Sequence, residues 1–289
     1  MDDNPVNKKS LVVLSVFSCV VILIIFIVTK GSSTIVVFCD VGQGDAAYIR
    51  TDEGVDILID GGPEKEVLMC LGKYMPFYDR TIDIMIMSHP NLDHYGGFSF
   101  VLDRYTIKSF YRPDTTISGP TYQDLLKKLS RKHVSQHIIY ATDVIKVDTK
   151  SNMVFFWPPP NLGSSKAPDV NDASLIHLFK RGSVDILFTG DTSPRVLNKL
   201  LHSHQQFGKI EILKVPHHGS KNGLTADFLR YINPVLSVIS VAAQNRYGHP
   251  SLEVIEMFDK AGRTYISTAK HGDVFIELND KNWKLIGGL

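Results

Sequence analysis

The chain has 289 residues, of which 44% are hydrophobic and 21% are charged, and its formal net charge is +1. The hydrophobic content excludes intrinsic disorder as the general state, and the length allows one large core or two smaller ones. A net charge near zero provides no long-range attraction toward nucleic acid, so local groups would have to hold a polyanionic substrate.

The first predicted element is the uncharged apolar sequence Leu11–Thr29. An α-helix of about 20 such residues spans a bilayer. Two lysines precede the segment and one follows it, a weak bias that places residues 1–10 in the cytoplasm and the remainder outside. We therefore predict a single-pass signal anchor, a linker over 30–34 and an extracytoplasmic domain over 35–289. A cleaved signal peptide is the alternative.

Short β-branched runs alternate with turn residues along the rest of the chain, which predicts strands. They cover residues 35–39, 46–51, 55–59, 82–87, 154–157, 174–179, 184–189, 210–215, 236–241, 264–267 and 274–278. Apolar residues at helical spacing predict helices over 64–74, 122–132, 194–202, 226–232 and 252–261. The pattern indicates one mixed α/β domain, because the best linker-like stretch, Pro158–Pro168, is too short to separate two domains.

Three cysteines are present, and only Cys39 and Cys70 lie in the predicted domain, since Cys19 falls in the predicted span. No zinc-type Cys-x-x-Cys pair exists. An extracytoplasmic location would permit a disulfide between Cys39 and Cys70, but both could equally be small buried apolar residues. We favour the second interpretation.

Polar side chains cluster at the ends of the predicted strands. They are Asp40, Asp45, Asp60, the loop His89–His94, Asp191, His217, His218 and His249. Residues just past the strand ends of a layered α/β protein gather on one rim of the sheet. Imidazoles and carboxylates from several loops would then face one spot, which predicts a metal-dependent active site.

Six motifs carry a resemblance to a known family. The sequence SHPNLDH resembles the His-x-His-x-Asp-His signature of the metallo-β-lactamase superfamily, and FTGD resembles its bridging-aspartate motif. In order, DVGQGDA, LIDGG, SHPNLDHYGG, FTGD, VPHHGS and NRYGHPS are similar to the extracytoplasmic hydrolase domain of ComEC-type competence proteins, which take up DNA. The resemblance covers about Ile35–Leu278. It implies a four-layer αββα sandwich, here preceded by the predicted transmembrane helix.

The resemblance also implies roles for residues that match the motifs, around one or two divalent ions, manganese or zinc. The implied metal ligands are His89, Asp93, His94, Asp191, which would bridge two ions, and His217. Adjacent residues of an extended chain face opposite ways, so His217 and His218 would not both bind one ion, and we take His217. The catalytic candidates are Asp93, His218 and His249, the two histidines for remaining coordination or for protonating the leaving oxygen. Residues that would orient ligands or hold substrate are Asp45, Asp60, Asn91 and Ser220.

Two departures from the superfamily pattern concern one metal position. Asn91 stands where the superfamily has its second histidine, and NDASL, residues 171–175, has no histidine at the third motif. One position is therefore poor in nitrogen ligands, which favours a harder ion such as manganese or leaves that position weak or empty.

Three hypotheses for function follow from the resemblance. The first is a membrane-anchored phosphodiesterase, specifically a nuclease that acts on DNA outside the cytoplasmic membrane. The second is a phosphodiesterase for a surface polymer or a choline-type phosphodiester, because phosphorylcholine esterases share motifs of the DVGQGD and HHG types. The third is an inactive binding scaffold, because the ligand set is altered. The sequence does not identify a protein partner.

Overall fold

The computed structural model describes residues 8–29, 33–115, 117–160, 162, 169–203 and 206–287. The chain divides into two compact units, residues 1–33 and residues 34–289. Most of the predicted cytoplasmic terminus and of the predicted linker lies outside the described residues, as do residues 161 and 163–168.

The first unit contains helix α1, Lys8–Thr29. The prediction of a helix over 11–29 is therefore confirmed, although the side chains of residues 22–29 lie outside the described part. In the part of the chain that the structure describes, no helix is sufficiently long and apolar to cross a membrane. The predicted membrane span is thus not confirmed.

The second unit is built on strands and shorter helices. The strands are β1 (Thr34–Phe38), β2 (Ala47–Arg50), β3 (Asp56–Ile59), β4 (Thr81–Ile86), β5 (Thr106–Arg112), β6 (Ser135–Ile138), β7 (Val144–Lys146), β8 (Ser151–Trp157), β9 (Ile176–Arg181), β10 (Val184–Phe188), β11 (Ile212–Lys214), β12 (Leu236–Ile239), β13 (Thr264–Ser267), β14 (Val274–Leu278) and β15 (Trp283–Gly287). The helices are α2 (Val67–Tyr74), α3 (Leu92–Tyr95), α4 (Phe98–Arg104), α5 (Pro120–Arg131), α6 (Pro194–His202), α7 (Ala226–Ile232), α8 (Leu252–Ala261) and α9 (Thr268–His271). Two 3₁₀ turns cover Val170–Ala173 and Pro216–Gly219.

The strands form two sheets. The first has the order β15-β14-β1-β2-β3-β4-β5-β6, and the second has the order β13-β12-β11-β10-β9-β8-β7. Strands β3 to β6 run parallel to one another, and so do strands β10 to β13. The carboxyl ends of parallel neighbours lie at one edge of their sheet, so the loops after β3 and β4 share an edge, as do the loops after β10, β11 and β12.

The two sheets pack face to face and carry helices on their outer faces. Alternate residues of β2 show why, because Ile49 packs in the central core between the sheets and Tyr48 packs in the outer cluster with α2, α4 and α5. The second sheet packs through Leu213 against α6, α7 and α8. This is the layered α/β arrangement of two sheets and outer helices that the resemblance implies.

All of the predicted strands and helices of the second unit are present, with boundaries that differ by a few residues. The prediction missed β5, β6, β7, β15, α3, α4 and α9. Three of these strands, β6, β7 and β15, lie at sheet edges. All residues of β6 are exposed, so its sequence carries no apolar alternation, and the missed helices have seven residues or fewer, too short for a clear helical period.

The two cysteines of the second unit form a disulfide. Cys39 follows β1 and Cys70 lies in α2, with Cα atoms 5.8 Å apart. Both residues are buried, as expected, but our preference for two separate thiols was wrong. The packing of α2 against the first sheet brings Cys70 next to Cys39. The separation of the two cysteines along the sequence does not predict this proximity.

Replacing both Cys39 and Cys70 with Ala should lower the free energy of unfolding by about 2–4 kcal/mol, because the bond closes a long loop in the unfolded chain. Urea denaturation of the variant beside the wild type measures the difference. Wild type treated with reductant serves as the control and should match the variant. Equal midpoints for oxidised and reduced wild type would contradict the prediction.

Candidate metal centre

The loops at the carboxyl edge of the first sheet are joined by backbone hydrogen bonds. Gly61 N donates to His94 O at 2.6 Å, Asp45 N donates to Asp93 O at 3.1 Å, and Gly62 N donates to Asp45 O at 2.8 Å. These contacts need glycine at Gly44, because a Cβ there would lie 2.3 Å from Asp93 O. The DVGQGDA, LIDGG and SHPNLDH motifs therefore form one connected unit around the histidine loop.

The second sheet contributes a turn with unusual backbone geometry. His217 and His218 follow β11 with φ values of 52° and 54°, in the left-handed region that residues other than glycine rarely occupy. His217 N donates to Gly190 O at 3.1 Å, beside Asp191. The turn buries the side chain of His218 and leaves that of His217 25% exposed. Our choice between the two histidines assumed an extended chain. The backbone angles show that the chain is not extended here.

Four side chains from the two sheets meet in one cluster, which we call the cage. It consists of Asp93, His94, Asp191 and His218, whose ligand atoms lie within 4.8 Å of one another. His94 Nε2 is 3.3 Å from Asp191 Oδ1, and His218 Nε2 is 3.3 Å from Asp93 Oδ2. Among the described residues, His94 Nε2, His218 Nε2 and Asp191 Oδ1 are buried without a hydrogen-bond partner. Buried polar atoms are normally satisfied, so these three atoms are suited to coordinate a cation.

Both imidazoles of the cage form a hydrogen bond through Nδ1. His94 Nδ1 donates to Asp60 Oδ2 at 2.9 Å, and His218 Nδ1 donates to Ser240 O at 3.0 Å. Asp45 Oδ1 lies 3.4 Å from His218 Nδ1. Such contacts fix the tautomer and leave Nε2 free for a metal. The structure thus places Asp60 and Asp45 where residues that orient ligands belong.

The cage concentrates negative charge in a buried space. Burial alone would lower the pKa of His94 and of His218. The neighbouring carboxylates outweigh this effect, Asp191 and Asp60 for His94 and Asp191 and Asp45 for His218. Both pKa values therefore lie well above their ordinary range. Burial raises the pKa of Asp191, yet the two imidazoles hold that pKa well below its ordinary value. A divalent cation would replace the two imidazolium protons as the compensating charge.

A neighbouring position has a poorer ligand set. His89 is fully buried, its Nε2 has no hydrogen-bond partner among the described residues, and its ring centroid is 4.1 Å from that of His94. Burial and the neighbouring His94 lower the pKa of His89 to about 3, so its ring is neutral and can offer a nitrogen lone pair to a metal. Asn91, two residues further along the same loop, donates from Nδ2 to Asn171 Oδ1 at 2.9 Å, so these residues offer amides where the superfamily motifs have histidines. One complete four-residue site and one weak position fit this chain.

The remaining predicted residues lie beside the cage. His217, Ser220 and His249 line an open polar groove. His217 Nε2 is 3.7 Å from Asp191 Oδ2, and the rings of His217 and His249 are 6.1 Å apart. The geometry therefore favours His218 over His217 as the ligand, and it places His217 and His249 in the groove next to the cage.

Sequence reasoning missed two residues of this region. Lys214 is 3% exposed and its Nζ lies 2.5 Å from Asp45 Oδ2, and Asn171 contacts Asn91. A charged residue inside the apolar run 210–215 was the available signal for Lys214, since a buried lysine needs a partner. For Asn171 the signal was its place in NDASL, at the superfamily's third motif.

The family described as "Metallo-beta-lactamase superfamily" matches residues 39–243. The chain belongs to this superfamily. It is 26% identical to ComE operon protein 3 of Bacillus subtilis over 93% of this chain and 37% of that protein, and 26% identical to Recombination protein 2 of Haemophilus influenzae over 81% and 28%. It thus spans about a third of the length of these relatives. The match confirms the resemblance to the ComEC-type domain.

Solved structures share the superfamily fold at low sequence identity. CmlA, a diiron β-hydroxylase from Streptomyces venezuelae, superposes with a TM-score of 0.56 at 13% identity and covers 86% of this chain and 54% of its own. Zn²⁺-bound PqqB from Methylobacterium extorquens gives a TM-score of 0.51 at 10% identity, over 78% of this chain and 85% of its own. At these identities the likeness concerns the fold alone.

The metal content of this superfamily member should be near one ion per chain, because among the described residues the cage is the group with four ligand side chains. Asn91→His should raise it toward two, since it adds nitrogen next to His89. Elemental analysis after manganese loading and gel filtration measures the ratio. Asn152→His, at an exposed position of β8, is the control and should leave it unchanged. A wild-type value of two would contradict the prediction.

Metal binding should release protons and weaken as the pH falls. The raised pKa values of His94 and His218 keep both protonated at neutral pH without an ion, and coordination through Nε2 must displace those protons. We expect the apparent affinity for Mn²⁺ to fall roughly ten- to a hundredfold per pH unit. Titration calorimetry in buffers with different ionisation enthalpies measures the release, and a binding enthalpy independent of the buffer would refute it.

Proposed function

We propose that this chain is a metal-dependent phosphodiesterase that cleaves DNA. The observation that carries the proposal is the cage, in which four ligand side chains meet beside an open groove with partly exposed histidines. A buried metal site that adjoins an open groove suits a long substrate, because the polymer can lie along the groove while one linkage reaches the cage.

The groove offers the groups that a phosphodiester needs. Lys221 is an exposed cation in its lining, next to the hydroxyl of Ser220. Ser220 Oγ accepts from Asn222 N at 3.2 Å, so its own hydrogen is available to a phosphoryl oxygen. The near-zero net charge of the chain leaves this local set to hold the phosphate.

The residues divide the chemistry between them. A divalent ion in the cage would supply Lewis acidity, activating water and offsetting the charge that develops on phosphoryl oxygens. Asp60 and Ser240 O hold the two imidazoles in the tautomer that presents Nε2. His217 and His249 line the groove, which puts them in reach of a leaving oxygen.

Two further observations support DNA as the substrate and an extracytoplasmic site of action. Recombination protein 2 is named for a process of DNA, and the six motifs resemble those of DNA-uptake proteins. The disulfide between Cys39 and Cys70 is typical of an oxidising compartment outside the cytoplasm. Attachment to a membrane rests on the uncharged sequence Leu11–Thr29 alone.

Asp93→Ala should lower manganese-dependent cleavage of linear DNA at least about a hundredfold, since it removes a carboxylate from the cage. The side chain of Asp93 is 34% exposed, so we expect the variant to fold, as circular dichroism would verify. Gel assays with increasing protein measure the loss. Asp124→Ala, which removes an exposed carboxylate of α5, is the matched control and should keep wild-type activity.

A choline phosphodiester in parallel assays separates the hypotheses. Hydrolysis of that compound without cleavage of DNA would overturn the nuclease proposal in favour of the second hypothesis. Bound manganese without hydrolysis of either substrate would support the scaffold.

A further inference from the structure

Next to the cage, the groove carries an exposed aromatic side chain that the proposed chemistry does not use. Tyr247 is 53% exposed and lines the same groove as His217 and His249. Its ring is nearly parallel to that of His249, with an interplanar angle of 17° and centroids 5.8 Å apart. His249 in turn lies 6.1 Å from His217, which neighbours Asp191. The rings of His217, His249 and Tyr247 thus form a row that extends from the cage along the groove.

The turn that presents Tyr247 is held in place by one side chain. Asn245 Oδ1 accepts from Tyr247 N at 3.2 Å and from His249 N at 2.9 Å. Asn245 Nδ2 donates to His249 O at 2.7 Å and to Ala242 O at 3.1 Å. These bonds fix the backbone under both rings, so the exposed tyrosine is preorganised, which lowers the entropic cost of binding.

A guanidinium group lies against the ring. The Arg246 guanidinium lies 4.9 Å from the centroid of Tyr247, and Arg246 Nη2 donates to Tyr247 Oη at 2.8 Å. Lys221 lines the same groove, where Glu253 contributes a carboxylate. Guanidinium planes and aromatic rings are both stacking partners of nucleobases, and cations near them attract the phosphate backbone.

We propose that Tyr247, with His249 and Arg246, forms a nucleobase-binding subsite, so that the substrate is single-stranded nucleic acid. A base can stack on an exposed ring only when it has left its own stack, as it has in a single strand. A choline phosphodiester has no base to stack, and its quaternary ammonium would have to replace the Arg246 guanidinium, which already lies 4.9 Å from the centroid of this ring. The proposal rests on the proposed function, because it assigns the substrate of the same centre.

The test compares two single-stranded oligonucleotides with the same backbone and length, oligothymidylate and its abasic analogue. Full-length wild type in Mn²⁺ should cleave the base-bearing strand with the higher kcat/KM. Tyr247→Ala should reduce that preference at least about fivefold, the lower end of what stacking of one base contributes. Tyr247→Phe keeps the ring and should keep the preference. Tyr78→Ala, at an exposed tyrosine outside the groove lining, is the matched control and should also keep it.

The outcomes separate the subsite from the nuclease proposal. Equal cleavage of both strands by wild type, or an unchanged preference in Tyr247→Ala, would overturn the subsite and leave the nuclease standing. If wild type cleaves linear duplex DNA but neither single strand, the assignment of a single-stranded substrate fails and the nuclease proposal stands. If it cleaves none of these substrates, the nuclease proposal fails, and fluorescence anisotropy in the same buffer decides the subsite. Tighter binding of oligothymidylate that Tyr247→Ala abolishes would then support it, and equal binding of the two strands would overturn it.

Discussion

The site depends on the burial of more carboxylate charge than the neighbouring cations balance. Asp45, Asp60 and Asp191 are at most 5% exposed, and Lys214 pairs with Asp45. An uncompensated buried charge is strongly unfavourable, so the surplus must be met by protons on imidazoles or by a metal ion. The protein can hold this arrangement because either state provides positive charge between the same oxygens.

The surrounding fold keeps these groups together in both states. The histidine loop is tied to the Asp45 and Asp60 loops by backbone hydrogen bonds, which do not change when a side chain loses a proton. On the other sheet the left-handed turn at His217 and His218 places one ring inside and the other in the groove. Backbone in this region is costly for residues with a Cβ, and such strain concentrates at functional sites. The turn thus places His218 in the cage and His217 in the groove lining, although the two residues are consecutive.

These features explain what the sequence could and could not predict. Strands with apolar runs and the loops that follow them were predictable, because burial on both faces leaves a clear signal. The edge strand β6 was not, since its exposed residues need no apolar pattern. Choosing His218 over His217 required the backbone angles of one turn, and the partner of Cys39 required the packing of α2. Each of these is set by tertiary contacts rather than by local residue types.

The altered ligands bear on whether the centre is active. Asn91 and Asn171 both fall on the weak position beside His89, where they bond to each other. The cage keeps its four ligand side chains and the contacts that orient its imidazoles. A scaffold that binds no metal would have no need to keep all four ligand side chains together. Changes confined to one position, beside a cage that keeps its four ligand side chains, instead fit the binding of one ion in the cage.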